Sequence, residues 1–185
     1  MNQTEKKKKA ILDTTFMLLN EKEIKAITIT EIAQKAVVSK VTLFKYYKSK
    51  NHLMNVVIMN VFENMASQIE KIIQSDLNFE ETYEGITQLK LKQLKHYSPV
   101  FLQNLITQYS ESPDFFDAEK VMMQMKTYDK LFEKGQTEGK ISKEFSKDDF
   151  TFFINIFISG MKGLPADYLF QKTEIITRFF INGLK

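Results

Sequence analysis

Hydrogen-bond donors are concentrated in the segment from residue 28 to residue 50. Ser39, Lys40 and Thr42 lie within four residues, and Lys45 follows in the next turn. Hydroxyl and ammonium groups at this density suit the phosphate oxygens and base edges of nucleic acids rather than bond-breaking chemistry. The segment is therefore a candidate nucleic-acid interface.

The charge of the chain is distributed unevenly. Residues 1–52 contain eleven Lys, no Arg and five acidic residues, for a net charge of +6, whereas the whole chain of 185 residues carries +3. A basic end on a mildly acidic body is expected when only that end meets a polyanion. The lysine run at residues 6–9, taken alone, is equally compatible with a solvated surface.

Residues that support enzyme chemistry are scarce. The chain has two His and no Cys, which excludes disulfides, thiolate metal sites and a Cys nucleophile. It also lacks a glycine-rich phosphate loop and a His and carboxylate cluster at metal-ligand spacing. We therefore expect no enzyme activity, no cofactor and no metal site.

The composition favours an all-α fold. Six Gly and three Pro are nine residues where average usage predicts roughly twenty, which leaves little turn chemistry for a many-stranded sheet. The longest apolar stretch, residues 150–158, falls short of the roughly 20 residues that a bilayer span needs. The N-terminus has no secretory apolar region. We expect a cytoplasmic protein with no membrane partner.

The first two helices are predicted from spacing and capping patterns. Apolar residues recur at helical spacing over about residues 5–20, which predicts the first helix. Thr28, followed three residues later by Glu31, is a capping-box pattern in which each side chain satisfies a backbone N–H. Apolar residues then repeat at three and four, so a second helix is predicted over about 28–36.

A short third helix completes a helix-turn-helix. Val37 and Val38 form the break, and Ser39 caps a helix that ends near Phe44 or Lys45. Two helices joined by so short a turn are typical of DNA-binding domains.

The rest of the chain is also predicted to be helical. A long helix runs from Ser49 to about Ser75, and capping residues at Asn78, Ser98 and Ser112 begin three more helices. The helix from Asn78 is expected to reach about residue 97.

The C-terminal third contains the most apolar helix. Glycines at 135–139 predict a loop, and Ser146 caps a helix over about 148–162, after which a last helix reaches the C-terminus. We predict about nine helices, with a helix-turn-helix DNA-binding domain over 1–50 joined by a long helix to a ligand-binding and dimerisation domain over 51–185.

Residues 8–56 resemble the TetR family of bacterial transcriptional regulators. The matching residues are Asn20-Glu21-Lys22, Glu31-Ile32-Ala33, Val38-Ser39-Lys40, Thr42-Leu43-Phe44, Tyr46-Tyr47 and Ser49-Lys50. Beyond residue 56 the similarity is limited to length, helix number and the final Asn182-Gly183-Leu184.

The chain departs from the family pattern at Glu23, Val37 and Val41, where glycine is usual. A glycine at the first two positions would serve a helix end or a tight turn. Val37 therefore predicts either a different backbone or a strained one. Val41 either blocks a close approach of the recognition helix to DNA or packs on a thymine methyl group, and we favour the packing.

The recognition helix must present its first side chains to base edges, with phosphate contacts on either side. Lys40 can donate to guanine O6 and N7, and Thr42 can bond a base or a phosphate. Tyr47 is interpreted as core, and Phe44 stays open between core and DNA contact. The predicted DNA-binding residues are Thr28, Ser39, Lys40, Val41, Thr42, Phe44, Lys45, Tyr46 and Lys50.

The helix over 148–162 predicts dimerisation, because a helix that is apolar nearly all round is buried all round. With the last helix it resembles the family's two-fold four-helix interface; an ordinary core helix is the alternative. A dimer would place two recognition helices roughly 34–36 Å apart on a palindrome. The predicted interface residues are Phe153, Ile156, Phe157, Gly160, Ile176, Phe179 and Phe180.

The resemblance also implies a ligand pocket among the middle helices, although most of their apolar residues are interpreted as core. Flexible Met and flat aromatic side chains would suit a small hydrophobic or aromatic effector. The predicted lining is Phe62, Met65, Tyr97, Phe101, Tyr109, Met125 and Tyr128. The candidate polar anchors are His96, Asn104, Gln108 and Asn155, although a satisfied core or surface position is favoured for each.

We therefore predict a sequence-specific DNA-binding regulator. The resemblance implies a homodimeric repressor that a small hydrophobic ligand releases from a palindromic operator. The first alternative is a helical dimer that binds a small molecule or a protein partner and reads DNA only degenerately. The second is architectural DNA binding that is indifferent to sequence.

Overall fold

The computed structural model describes residues 1–112 and 129–161, together with positions 164, 168, 171, 172, 174–176 and 179. The side chains of Leu94, Tyr109, Ser110, Ile154, Phe157, Ile158 and Met161 lie outside this description. Within the described ranges the chain is all-helical and contains no strand, as its composition predicts.

The helices follow the predicted order. Their bounds are α1 Gln3–Glu21, α2 Ile29–Lys35, α3 Lys40–Tyr46, α4 Lys50–Ile73, α5 Phe79–Leu94, α6 Pro99–Glu111, α7 over 129–137 of the described part, and α8 Lys147–Met161. A 3₁₀ turn, Ile24–Ala26, lies between α1 and α2. None of the described helices is both long enough and apolar enough to cross a bilayer.

Polar caps begin the helices where the sequence places them. At α5, Glu81 N donates to Asn78 Oδ1 at 3.0 Å, and Asn78 N donates to Glu81 Oε2 at 3.0 Å. At α8, Asp149 N donates to Ser146 Oγ at 3.1 Å, and Ser146 N donates to Asp149 Oδ2 at 2.9 Å. Both bonds of a capping box therefore form at each of these helix starts. The helix predicted to begin at Ser112 lies outside the described residues.

The predicted end of α5 is wrong, because the helix stops at Leu94 rather than near Tyr97. Ser98 precedes Pro99 and has extended backbone angles, φ −68° and ψ 155°, since a proline disfavours the helical conformation of the residue before it. Ser98 Oγ also donates to Asn20 O at 2.7 Å. The residues after Leu94 therefore leave the helix, which allows Ser98 to reach Asn20.

The predicted loop over 135–139 is wrong in its first part, because the chain remains helical through 137. A Cβ atom on Gly135 would lie 2.6 Å from Ile141 Cδ1 and 2.8 Å from Phe79 Cε2. Glycine at 135 therefore permits close packing rather than a turn. The turn itself is at Gly139, whose φ of +70° is accessible to glycine without steric cost.

The chain forms two compact units. The first consists of Met1–Phe62 with Tyr97–Phe115, and the second consists of Glu63–His96 with Phe116–Lys185. The predicted functional division into 1–50 and 51–185 stays a prediction. The core of the second unit includes the buried residues Ile73, Phe79, Ile86, Leu131, Phe132, Ile141 and Phe150.

The first unit joins α6 to the N-terminal helices. Ile11 and Leu18 of α1 are fully buried. The ring of Phe16 lies 5.3 Å from that of Phe101, which is also fully buried, and Tyr97 stacks on Phe101 at 4.8 Å. Aromatic packing of this kind stabilises beyond simple burial. Helix α1 therefore packs against α6 as well as against α2.

Candidate nucleic-acid interface

Helix α2 is capped by Thr28 and is joined to the end of α1 by the ion pairs Lys22–Glu31 and Lys35–Glu21. Thr28 Oγ1 accepts a hydrogen bond from Glu31 N at 3.1 Å, which is the first half of the predicted capping box. Both carboxylate oxygens of Glu31 instead accept from Lys22 Nζ, each at 2.7 Å, because a charge-assisted bond is stronger than one to a neutral backbone N–H. This bond to Lys22 is the main reason that the pKa of Glu31 lies below its usual value. It fastens α2 to the end of α1.

The turn before the recognition helix has a left-handed residue at Val37, with φ +54°. Val38 N donates to Ala33 O at 3.0 Å, and Val37 N donates to Gln34 O at 3.2 Å. These bonds form the Schellman motif that usually requires glycine at the left-handed position. Of the two expectations for Val37, the strained backbone is the one observed, because a β-branched side chain is costly there. The Val37 side chain is 89% exposed.

Recognition helix α3 begins with a local hydroxyl network. Ser39 Oγ accepts from Thr42 N at 3.0 Å, and the Ser39 and Thr42 hydroxyl oxygens lie 2.9 Å apart. Ser39 and Lys40 are exposed, and Thr42 is half-buried. Val41 is 80% exposed. The cap thus fixes the start of the helix and leaves Lys40 and Val41 open to solvent.

The two aromatic residues whose roles the sequence left open separate clearly. Phe44 is 47% exposed, whereas Tyr47 is only 6% exposed. Burial raises the pKa of the Tyr47 hydroxyl. Tyr47 therefore belongs to the core, as interpreted from the sequence, and Phe44 remains available for an apolar contact outside the chain.

Three of the predicted DNA-binding residues lie at the end of α3 and the start of α4. Lys45 is exposed, while Tyr46 and Lys50 are half-buried. Burial lowers the pKa of Lys50, and no carboxylate in the described ranges pairs with it. Ser49 Oγ accepts from His52 N at 3.0 Å, which begins α4 beside Lys50. Lys50 is therefore a half-buried lysine that can bind an anionic partner outside the described part of the chain.

Asn104, a candidate ligand anchor, has a structural role in this unit. Its Oδ1 accepts from Ile24 N at 2.9 Å, and its Nδ2 donates to the carbonyl oxygens of Leu19 and Lys22, both at 2.9 Å. These are backbone groups at the end of α1 and in the 3₁₀ turn, where helix termini leave such groups unpaired. Asn104 therefore connects α6 to the segment between α1 and α2. Nothing in the local sequence signals this contact, because its partners lie about 80 positions away.

The other polar candidates also lie in the core or at the surface, as favoured for them from the sequence. Gln108 Nε2 donates to Asn51 Oδ1 and to Asn55 Oδ1, both at 2.6 Å, and is a satisfied core group. His96 and Asn155 are exposed.

Four of the predicted pocket residues have described side chains. Phe62, Met65 and Tyr97 are half-buried, and Phe101 is fully buried. The side chain of Tyr109 lies outside the described part, as do Met125 and Tyr128. The pocket itself stays a prediction.

Helix α8 exposes several of the residues predicted for a dimer interface. Phe153 and Ile156 are 39% and 50% exposed, and Phe152, outside the predicted set, is 60% exposed. Gly160 is exposed, and a Cβ atom placed on it would meet no heavy atom within 4 Å.

The charge along α8 is confined to its first turn, at residues 147–149. In the last predicted helix, Ile176 is half-buried and Phe179 is exposed. The Phe157 side chain and Phe180 lie outside the described residues.

The N-terminal region matches a known protein family, and nearly the whole chain aligns with a known regulator. Residues 11–57 match the family model described as bacterial regulatory proteins, tetR family. The chain is 27% identical over 191 aligned positions to the HTH-type transcriptional regulator YvkB of Bacillus subtilis (strain 168), covering 95% of this chain and 96% of that protein.

Solved structures share the fold over nearly the whole length. The fatty acid degradation regulator FadR from Bacillus halodurans has a TM-score of 0.72 at 15% identity, covering 96% of this chain and 99% of FadR. FadR from Bacillus subtilis in complex with stearoyl-CoA has a TM-score of 0.65 at 13% identity, covering 95% and 98%. At these identities the likeness concerns the fold.

Proposed function

We infer that this chain, which belongs to the TetR family of bacterial transcriptional regulators, acts as a homodimeric repressor of a palindromic operator in the cytoplasm. It is a transcriptional regulator and not an enzyme. The observation that carries the proposal of sequence reading is α3, where the Ser39 cap leaves Lys40, Val41 and Phe44 exposed on a helix-turn-helix.

Base reading is assigned to the first turn of α3. Lys40 would donate to guanine O6 and N7, and Val41 would pack against a thymine methyl group. Thr28, Lys45, Tyr46 and Lys50 would contact phosphates on either side, which gives affinity and salt dependence rather than sequence choice. A phosphate would also stabilise the Lys50 ammonium group, whose burial disfavours its charge.

Dimerisation is supported by the exposed apolar side chains of α8. Ile156 and Phe153 on this helix lack the cover that large apolar side chains normally receive. Gly160 adds a position at which another backbone could approach closely. A second copy of the chain satisfies these features and doubles the number of base pairs that are read.

A small hydrophobic effector is proposed to release the operator. The support is twofold: the related fold of FadR is known in complex with stearoyl-CoA, and the middle helices of this chain are rich in Met and aromatic residues. By linkage, the effector must weaken DNA binding by the same factor as DNA weakens effector binding.

Two features support a path from the middle helices to the recognition helix. Helix α4 begins four residues after α3 ends, and Asn104 bonds α6 to the segment before α2. A displacement of α4 or of α6 would therefore shift the helices of the helix-turn-helix.

The competing candidate is a helical dimer that reads DNA degenerately. It is favoured by the strained Val37 and the exposed Val41, which replace family glycines. This candidate predicts binding that varies little with DNA sequence.

Selection from random duplex DNA by the purified chain and by Lys40→Ala and Lys45→Ala tests the proposal. We expect the unmodified chain to select a palindrome with half-sites about 10 base pairs apart. Lys40→Ala should select the same palindrome with one position per half-site relaxed, at a cost of about 1–3 kcal/mol per lost contact. Lys45→Ala should select the unchanged palindrome with weaker binding. Failure of the unmodified chain to enrich any sequence would favour the competing candidate.

A further inference from the structure

The lysines of the first compact unit divide by whether a carboxylate neutralises them. Lys9 Nζ lies 2.5 Å from Asp13 Oδ2. Lys22 Nζ lies 2.7 Å from Glu31 Oε1, and Lys35 Nζ lies 3.7 Å from the same oxygen. Among the side chains described over residues 1–112, no carboxylate pairs with the other lysines of this unit: Lys6, Lys7, Lys8, Lys25, Lys40, Lys45, Lys48 and Lys50.

Four of the eight unpaired lysines, at positions 40, 45, 48 and 50, lie on or beside α3, where DNA binding is proposed. Three of the others are consecutive lysines near the start of α1, at residues 6–8. The first turns of α1 therefore carry a positive charge that nothing within the described part of the unit neutralises. Whether this charge serves DNA binding depends on where it lies relative to the recognition helix.

Lys8 provides the link between α1 and α3. Its Nζ lies 5.4 Å from the centroid of the Tyr46 ring, and Tyr46 is the last residue of α3. Along α1, Lys8 precedes the fully buried Ile11 by three positions and the fully buried Thr15 by seven. These spacings place Lys8 at the end of the helix face that packs against the rest of the unit.

The ring and a carboxylate affect a lysine differently. A cation over an aromatic face is attracted by the ring quadrupole, which restricts the ammonium group without cancelling its charge. A carboxylate, as Asp13 does for Lys9, supplies the opposite charge. Lys8 therefore lies over the ring at the end of the recognition helix, with no carboxylate partner in the described part of the unit.

We propose that Lys8, positioned by the Tyr46 ring, forms a phosphate-binding site on α1 that contacts the DNA backbone beside each base-reading half-site. This proposal rests on the proposed function, because its partner is the same double-stranded DNA. The site adds affinity and salt dependence, and it contributes nothing to the choice of sequence.

Lys9 is a matched control within the same helix. It is the next residue, it carries the same charge, and it is turned by about 100° around the helix axis. Its side chain is 60% exposed and is bonded to Asp13. Lys8→Ala and Lys9→Ala therefore remove the same charge from adjacent positions, and only the first removes the proposed contact.

The experiment is a titration of duplex DNA with the full chain over a series of salt concentrations, for the selected operator and for a scrambled duplex. For Lys8→Ala, we expect the slope of log affinity against log salt to fall in magnitude by about 0.9 for each chain bound. The ratio of operator to scrambled affinity should stay unchanged. Lys9→Ala should retain the slope of the unmodified chain, and Lys8→Arg should restore it.

A second variant separates positioning from simple charge. Tyr46→Leu removes the aromatic ring and should also lower the slope, whereas Tyr46→Phe removes only the hydroxyl proposed to contact a phosphate and should retain it. Lys8→Ala added to Tyr46→Leu should then lower the slope little further. Additive slope changes would show that the ring does not position Lys8.

The outcomes for the phosphate site and for the proposed function are distinguishable. Equal slopes for Lys8→Ala and Lys9→Ala would overturn the phosphate site, even if the unmodified chain prefers its operator. A lowered slope for Lys8→Ala alone would support the site, even if the unmodified chain binds operator and scrambled duplex equally and the proposed sequence reading fails.

Discussion

Helices α3 and α8 both expose large apolar side chains, but their surroundings differ. Val41 is 80% exposed and Phe44 is 47% exposed on α3, where Lys40 directly precedes Val41 and Lys45 directly follows Phe44. Ile156 is 50% exposed on α8, whose charged residues are confined to the first turn. Exposure alone therefore does not identify a partner. Lysines beside apolar groups suit DNA, whereas an uncharged apolar face suits a second copy of the chain.

Substitution by lysine should affect dimerisation differently on the two helices. It should break the dimer on α8 and leave the dimer intact on α3. Ile156→Lys places an unpaired charge in the proposed interface, where such a charge costs roughly 3 kcal/mol or more. We expect the dimer to dissociate at least about a hundredfold more readily and operator binding to fall toward the non-specific level. Sedimentation equilibrium measures the association. A dimer of unchanged stability would remove α8 from the interface.

Val41→Lys is the counterpart on α3. It removes the proposed contact with a thymine methyl group and adds a cation near DNA. We expect the dimer to persist, the preference for thymine at one position to weaken by about tenfold, and the salt slope to steepen by about 0.9 per chain. Titration of duplexes with single base changes measures this preference. A dissociated dimer, or an unchanged base preference, would contradict the comparison.

Val37→Gly should stabilise the first unit. The left-handed backbone at φ +54° is costly for valine and accessible to glycine, so we expect the free energy of unfolding to rise by about 1 kcal/mol. Val38→Gly is the control: within the described residues Val37 is the only non-glycine residue with positive φ, so glycine at 38 should destabilise. Urea denaturation measures both. A loss of stability in Val37→Gly would mean that the turn is not strained.

The smallest effect is expected at Glu31, which stabilises α2 rather than either partner surface. Hydrogen bonding to Lys22 lowers its pKa, so its contribution is present above the unfolded value of 4.5 and is lost as the pH falls through the lower folded value. Glu31→Gln should remove this acid-side loss and should lower stability at pH 7 by less than the change at Val37. Thermal melting between pH 3 and pH 7 checks this, and identical pH profiles would exclude the contribution.

Local signals predicted the helix starts well, because the groups that define them lie within three residues of one another. Ser39 with Thr42 and Asn78 with Glu81 form the bonds that their spacing implies. The same reasoning failed where a distant group competed for a partner. Glu31 bonds to Lys22 instead of completing its capping box, and no pattern near Glu31 signals that choice.

Long-range packing was the part that the sequence could not supply. Gly135 looked like a loop residue because glycine is common in turns, but Phe79 and Ile141 occupy the space that a side chain would need. Asn104 occupies a satisfied position, as the sequence favoured, but its partners, backbone groups about 80 positions away, carry no sequence signature. For the candidate site, residue type predicted which groups could meet DNA, while exposure separated Phe44 from Tyr47.

In the proposed function, two copies joined through the uncharged face of α8 read a palindrome through the lysine-flanked face of α3. Titration of the selected palindrome, of a single half-site and of a scrambled duplex at physiological salt, with the number of bound chains measured by sedimentation, tests it most directly. We expect two chains on the palindrome and an affinity roughly 10³-fold above that for the scrambled duplex. Equal affinity for all three duplexes, or one chain bound to the palindrome, would contradict it.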